Sequence, residues 1–343
     1  MQPRQPTTRR VTMTDVARAA GVSPMTVSYT YNRPERVSEE SRSRVLRTAA
    51  ALGYPGPDPS ARSLRYGVTR TLGVVLGEHL SYAFDDPQAV AFLAGIAEVC
   101  AERGYGLLIV PTGTGDEDAG RVVAAPVDAY VVWTTTDDDP ALAAACGTRR
   151  PVVVHGGPRR DGTTLVGIDN RGAARAVGAE VFATARRPAV LSFPVDRQRD
   201  TFVRRGVEPD TVGYPVTRDR LAGYRDAAEE LGIDWSEVPV GVCRTNDEAE
   251  ARSVMRHLLA AAPDLDAVAA MSDRLALAAL REAADPVRIS GWDDSAVARE
   301  HGLTTVAQSL RAQGTACATA ALGDPAPDHR DDWRLVRRAS TGG

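Results

Sequence analysis

The spacing of apolar residues changes character near residue 70. Up to that point short apolar stripes recur at helical intervals, and beyond it compact apolar runs alternate with longer amphipathic stretches. Thr12, followed three positions later by Asp15, forms the reciprocal cap that satisfies orphan donors at a helix start, so a first helix is predicted from residue 13 to about 20. Gly21 supplies the positive φ that a tight bend between helices needs. Ser23 and Pro24 then reopen a helix, the serine as its cap and the proline where a missing N–H costs nothing, which predicts a second helix over 24–31. Ala17, four before Gly21, lets the two helices cross closely, and Val27, six after it, turns back into a small core. This Ala-x3-Gly-x5-Val spacing points to a helix-turn-helix.

Asn32-Arg33-Pro34 ends the second helix. Ser38 caps a third, with Glu39 and Glu40 favourable to its dipole, an apolar face of Val45, Leu46, Ala49 and Leu52, and a stop at Gly53. The proline- and glycine-rich residues 54–59 exclude regular helix or strand. Residues 60–65 could form one or two helical turns, too short to be stable without a partner or DNA.

After this linker, strands are predicted at 71–76, 106–110, 129–133 and 151–155, with a helix over 88–103. Residues 166–170 lead into a helix ending near 183, and 188–193 is a strand that opens a second half. There the predicted helices are 220–231, 248–261 and 273–283, and the strands 240–242, 267–271, 287–291, 304–308 and 333–336. Strands alternating with helices imply parallel sheets covered on both faces. In such sheets ligands bind beyond the carboxyl ends of the strands.

Charge divides the chain at the same place. Up to Arg70, twelve arginines face five acids, a net +7, so the overall −4 leaves −11 for the remainder. A basic module on an acidic body suits a protein with one end at phosphates. All 41 basic residues are arginine, which excludes a lysine Schiff base and a Walker lysine. G-x-S-x-G and H-E-x-x-H are absent, Gly113-Thr114-Gly115 lacks the rest of a dinucleotide fingerprint, and no enzyme or cofactor is expected. Cys100, Cys146, Cys243 and Cys317 are isolated and read as reduced core cysteines. No apolar run approaches the roughly 20 residues of a membrane span and no signal-peptide core is evident, so a cytoplasmic protein without membrane association is expected. The 343 residues suffice for a headpiece and a two-lobed body, since single cores split beyond about 250–300 residues.

Residues 11–76 resemble the lactose-repressor/galactose-repressor family of bacterial transcription regulators, and the similarity continues more weakly through the chain. The resemblance implies an all-α helix-turn-helix headpiece (1–57), a hinge helix and linker (58–68), and an α/β effector domain (69–343) of two Rossmann-like lobes like a periplasmic sugar-binding protein. The first lobe would comprise about 69–186 plus 292–308, the second about 187–291 plus 309–343, with three crossings between them. The positions that would meet DNA are Thr12, Ser23, Pro24, Met25, Thr26, Ser28, Tyr29 and Asn32 in the headpiece, and Ala61, Leu64 and Arg65 in the hinge. Leu64 would wedge between central base pairs and kink the duplex. Many relatives carry arginine where Tyr29 stands, so base readout would lean on thymine methyls and hydroxyl hydrogen bonds, or Tyr29 would hold a phosphate oxygen.

For the effector, Arg220 in Arg220-Leu221-Ala222-Gly223-Tyr224 matches the family's cleft arginine and Asp293 in Gly291-Trp292-Asp293-Asp294 its acid. Guanidinium donors and a carboxylate that accepts vicinal hydroxyls suit a sugar or related polyol. Ser272, Gln308 and His155 stand at further cleft positions, and Trp133 and Trp292 either stack on a sugar face or serve as buried core tryptophans. Asp169 reads as a helix cap. Two departures from the family are Ser272, where asparagine is frequent, and Gly156, where an acid is frequent. The expected protein is a regulator, a repressor in the first instance, bound as a homodimer to a pseudo-palindromic double-stranded operator and controlled by a carbohydrate. A protein partner or a nucleoside-type ligand is the alternative controller, with a solute-binding protein or an enzyme further behind.

Overall fold

The computed structural model describes residues 11–56, 68–77, 80–113, 117–284, 286–325 and 328–342. They fall into two compact units, residues 1–69 and 70–343. The hinge positions Ala61, Leu64 and Arg65, and also His79, lie outside the described residues.

In the first unit, α1 (Met13–Ala20), α2 (Pro24–Asn32) and α3 (Glu39–Leu52) surround Val16, Ala17, Ala20, Val27, Val45 and Ala49. Thr12 and Asp15 form the expected capping box, and Ser23 and Ser38 cap α2 and α3. Gly21 and Gly53 end their helices at φ 66°, a left-handed conformation that favours glycine. The expected apolar face of α3 is only half buried. Val45 and Ala49 reach the core, but Leu46 and Leu52 are 40% and 38% exposed, because three short helices enclose little volume.

The second unit contains two sheets. Strands β1 (Thr71–Leu76), β2 (Gly106–Pro111), β3 (Ala129–Trp133), β4 (Val152–His155) and β5 (Thr164–Val166) run parallel in the order β2-β1-β3-β4-β5. The other sheet comprises β6 (Pro188–Ser192), β7 (Phe202–Arg205), β8 (Pro239–Val242), β9 (Ala267–Ala270), β10 (Arg288–Asp293), β11 (Thr304–Ala307) and β12 (Arg334–Val336). Its order is β12-β11-β10-β9-β6-β8-β7, with the two edge strands antiparallel.

Helices α4 (Tyr82–Asp85), α5 (Pro87–Arg103), α6 (Glu117–Ala124) and α7 (Pro140–Gly147) belong with the first sheet, and α8 (Asn170–Phe182), α9 (Pro215–Glu230), α10 (Glu248–Ala261), α11 (Asp273–Glu282) and α12 (Ala296–Glu300) with the second. The last helix, α13 (Leu310–Ala321), returns to the first lobe. There Leu310, Ala316 and Cys317 share a core with Phe92 and Ile96 of α5, while Val122 and Leu142 cover the opposite face. Glycines set the closeness of α5 and α13. A Cβ on Gly95 would lie 2.0 Å from the Arg311 carbonyl oxygen, and one on Gly314 would lie 2.1 Å from that of Phe92.

The lobe boundaries therefore differ from the expectation. Residues 170–182 and 292–308 belong to the second lobe, since α8 packs in its core and β10 and β11 pair in its sheet, and residues 310–321 belong to the first. The chain passes between lobes near 167–169, near 308–309, and again between α13 and β12. The backbone N–H of Asp169 donates to Arg330 O at 2.9 Å, tying the first passage to the third. Among the described residues no helix is long and apolar enough to cross a membrane. Cys100, Cys243 and Cys317 are buried free thiols, whereas Cys146 is partly exposed.

Candidate functional site

The headpiece positions with DNA-facing expectations divide into occupied and available side chains. Thr12 Oγ1 donates to Asp15 Oδ2 at 2.7 Å, Ser23 Oγ accepts from the Thr26 N–H at 3.0 Å, and Asn32 Nδ2 donates to the Ser28 carbonyl at 3.0 Å. These polar groups hold the turn and α2 together. Pro24 and Met25 are exposed, Met25 by 53%, and Tyr29 is half-buried on the same helix.

In the second unit a cleft opens between the carboxyl ends of the two sheets, where the strand chemistry places a ligand. Trp133 ends β3 and His155 ends β4 on one wall, while Arg220, Asp293 and Gln308 line the other. These five expected residues meet in one cavity. Ser272 and Trp292 do not line it. Trp292 is fully buried beneath Arg220, with the guanidinium carbon 3.8 Å from its ring centroid, so it supports the arginine instead of stacking on a sugar. The cause is strand alternation: neighbours on β10 face opposite ways, Asp293 to the cleft and Trp292 to the core. Ser272 caps α11, accepting from the Leu275 N–H at 3.1 Å, and donates to Asn246 Oδ1 at 2.6 Å. It positions the cleft residue Asn246.

Arg220 is almost wholly buried. Its Nε donates to Asn170 Oδ1 at 2.9 Å and its Nη1 to the Met271 carbonyl at 2.6 Å. Burial lowers its pKa to about 10, opposed by the charge of Asp293, so it stays cationic at neutral pH. Burial and the neighbouring Asp273 push the Asp293 carboxyl well above the usual range, against Arg220 and a hydrogen bond from Gln308 Nε2 at 2.8 Å. Asp293 also holds φ 107°, a backbone conformation that non-glycine residues seldom adopt outside constrained sites. On the opposite wall, burial lowers His155 to about 4, so its imidazole is neutral. Its ring lies against Phe92 and Trp133 at centroid distances of 4.7 and 5.2 Å.

Gly156, where the resemblance led to an acid, has little room for a side chain. It holds φ 72°, and a Cβ there would lie 2.8 Å from Val216 Cγ2. Asp169 caps α8 as expected, accepting from the Gly172 N–H at 2.9 Å.

The sequence reading missed Asn170, Phe193, Tyr214, Asn246 and Gln313, all of which line the cleft. It also missed two bridges between lobes. Asn246 Nδ2 donates to Asp86 Oδ2 at 2.8 Å and Arg274 Nη1 to the same oxygen at 3.4 Å, while Arg199 Nη2 donates to the Gly77 carbonyl at 3.0 Å. An amphipathic helix start such as Asp86-Pro87 signals a cap, not a partner in the other lobe. Among the described residues no group of acids, histidines and cysteines is arranged to hold a metal.

Residues 12–56 match the family model for bacterial regulatory proteins of the lacI family, and residues 199–341 match that for a periplasmic binding protein-like domain. A helix-turn-helix-type transcriptional regulator of Mycobacterium tuberculosis is 35% identical over 314 residues, covering 88% of this chain and 87% of the relative. The chain belongs to the LacI family. Within it, the regulator IpsA of Corynebacterium glutamicum is 34% identical, with 88% of each chain covered. A LacI-family regulator of known structure from Corynebacterium glutamicum superposes with a TM-score of 0.73 at 28% identity, covering 96% of this chain and 98% of that one. A complex of the regulator CelR with cellobiose superposes with a TM-score of 0.67 at 27% identity, covering 96% and 100%. This LacI-family member is accordingly a DNA-binding transcriptional regulator with a helix-turn-helix headpiece and a two-lobed periplasmic-binding-protein-like body.

Proposed function

We propose that the protein is a repressor whose homodimer binds a pseudo-palindromic operator and whose affinity is set by a small polyol or sugar in the interlobe cleft. The observation that carries the effector reading is the polar set of buried Arg220 with half-buried Asp293 and Gln308, facing Trp133 across one cavity. Polar groups held by protein partners on one side and open to a cavity on the other bind ligands that supply the missing hydrogen bonds. The cellobiose complex of the CelR regulator supports a carbohydrate.

Each headpiece would read one half-site through Met25 and Tyr29, with Pro24 and Thr26 beside them, and Leu64 would wedge the central step. Effector binding changes how the lobes close, and the hinge segments, marginal as isolated helices, respond as a bistable element. Selection of bound sequences from random duplexes, with wild type and Leu64→Ala in parallel at fixed salt, tests the DNA half. Enrichment of a pseudo-palindrome by wild type alone supports it, and no enrichment by either overturns it. Calorimetric titration with mono- and disaccharides tests the effector half, with Asp293→Ala expected to abolish binding. Control by another class of ligand would show as silence across that panel.

A further inference from the structure

His155, Gln313, Gln308 and Asp293 form an unbroken hydrogen-bonded file along the cleft, two residues from each lobe. The links are His155 Nε2 to Gln313 Oε1 at 2.9 Å, Gln313 Nε2 to Gln308 Oε1 at 3.1 Å, and Gln308 Nε2 to Asp293 Oδ1 at 2.8 Å. An amide has a donating end and an accepting end, so the direction of one link dictates the next. In its ionised form, which Arg220 and the Gln308 hydrogen bond favour and which burial beside Asp273 opposes, Asp293 only accepts. Gln308 then turns its NH2 to Asp293 and its oxygen to Gln313, whose NH2 donates to that oxygen and whose own oxygen faces the imidazole. His155 Nε2 must therefore carry the proton. Nδ1 is left as the bare nitrogen, and it is buried without a hydrogen-bond partner.

We propose that Gln313 and Gln308 are positioning residues that relay the charge of Asp293 to the tautomer of His155. The cleft thereby meets its effector with an acceptor at Asp293 and selects a polyol that donates a hydroxyl there, while the His155 imidazole registers the setting from its buried place against Phe92 and Trp133. This rests on the effector reading of the cleft. The relay also has a defined reverse setting. A side chain at 293 that donates to Gln308 Oε1 turns both amides over, gives His155 Nε2 a donor to accept from, and moves the imidazole proton to Nδ1. The buried bare nitrogen of His155 then becomes an N–H.

The test is imidazole 15N spectroscopy of the full-length protein, with the His155 signal identified by its loss in His155→Asn. Substitution is preferred to acidification, because Arg220, Asp273 and Asp86 also act on Asp293, and Arg220 and His329 on His155. Wild type should show the Nε2–H tautomer, and Asp293→Asn, whose amide admits either setting once the charge is gone, should show a mixture in which Nδ1–H appears. In Gln313→Leu, or Gln308→Leu should the first not fold, adding Asp293→Asn should leave the His155 spectrum unchanged. A wild-type Nδ1–H tautomer, or an Asp293→Asn spectrum identical to wild type, overturns the relay. A second arm titrates glucose and cellobiose against their deoxy and O-methyl analogues. Wild type should prefer the parent sugar by about tenfold, the worth of one charge-assisted hydrogen bond, and Asp293→Asn should lose that preference. Equal affinity for analogues and parent overturns the selectivity, while failure of every sugar to bind overturns the effector reading and leaves the spectra to decide the relay.

Discussion

The Arg220 guanidinium carbon lies 3.8 Å from the centroid of the fully buried Trp292 ring. A desolvated cation over an indole gains about 2 kcal/mol, and the ring also blocks the arginine from retreating into the second lobe. Trp292→Leu should lower stability by about 3 kcal/mol, as large-to-small core changes do, and weaken effector binding by about tenfold because Arg220 loses its platform. Trp292→Phe should retain most of the affinity. Urea unfolding and calorimetric titration measure the two effects separately, and equal affinity in Trp292→Leu and wild type would refute the supporting role.

His155 couples stability to pH. Its folded pKa of about 4 lies below the ordinary value of 6.5, so between those values the unfolded chain binds more protons than the folded one. The stability is present in full above pH 6.5 and is lost as pH falls toward 4, by up to about 3 kcal/mol. Asp273 and Asp293, both raised, act in the opposite sense, so the comparison is between wild type and His155→Leu. The stability gap between them should narrow by about 1–2 kcal/mol from pH 7 to pH 5. Denaturation curves at the two pH values supply the check, and a constant gap would refute it.

Helix α13 is held against α5 through glycine. In Gly314→Ala the new methyl would meet the Phe92 carbonyl oxygen, a backbone atom that cannot swing aside. Separation of the helices should cost about 2–3 kcal/mol and shift Gln313, the next residue on α13. Gly120 sits in α6 with nothing within 4 Å of its Cβ position, so Gly120→Ala should instead stabilise by about 0.5–1 kcal/mol. Opposite signs in chemical denaturation are the expected result.

Asp86 links the lobes while capping α5, accepting from Gln88 N at 2.8 Å through Oδ1 and from Asn246 at 2.8 Å through Oδ2. Asp86→Asn keeps a capping oxygen but weakens the bridge to Arg274, whereas Asp86→Ala loses both. Stability should fall by about 1 kcal/mol more in the alanine variant, and small-angle scattering should report wider lobe separation in both variants. Unchanged scattering in Asp86→Ala would show that the bridge does not hold the lobes.

Much of this architecture was legible before any coordinates. The caps at Thr12, Ser23 and Ser38, the glycine at 21, and the strand runs of β1, β3 and β4 all declare themselves by local chemistry. Helices α6 and α7 carry little signal because they are short and α7 is mostly alanine, and β7 because an exposed edge strand such as Phe202–Arg205 carries little apolar alternation. Arg220 and Asp293 stand in motifs and Gln308 at a family contact position, while the choice between core and cleft for Trp292 follows from the period of two along β10. Gln313 had no such signal. Its role depends on which lobe α13 joins, and an amphipathic helix fits either until the Gly95 and Gly314 contacts decide it.

The assignment of α13 to the first lobe also sets a timetable for synthesis. Phe92 and Ile96 emerge from the ribosome early, yet Leu310, Ala316 and Cys317, which cover them, follow only after residues 167–309 have been translated. Vectorial folding, in which an N-terminal domain completes itself before the next appears, is therefore closed to this lobe. The nascent chain carries an uncovered apolar face through the making of the whole second sheet, and that interval is when holdase chaperones would find it.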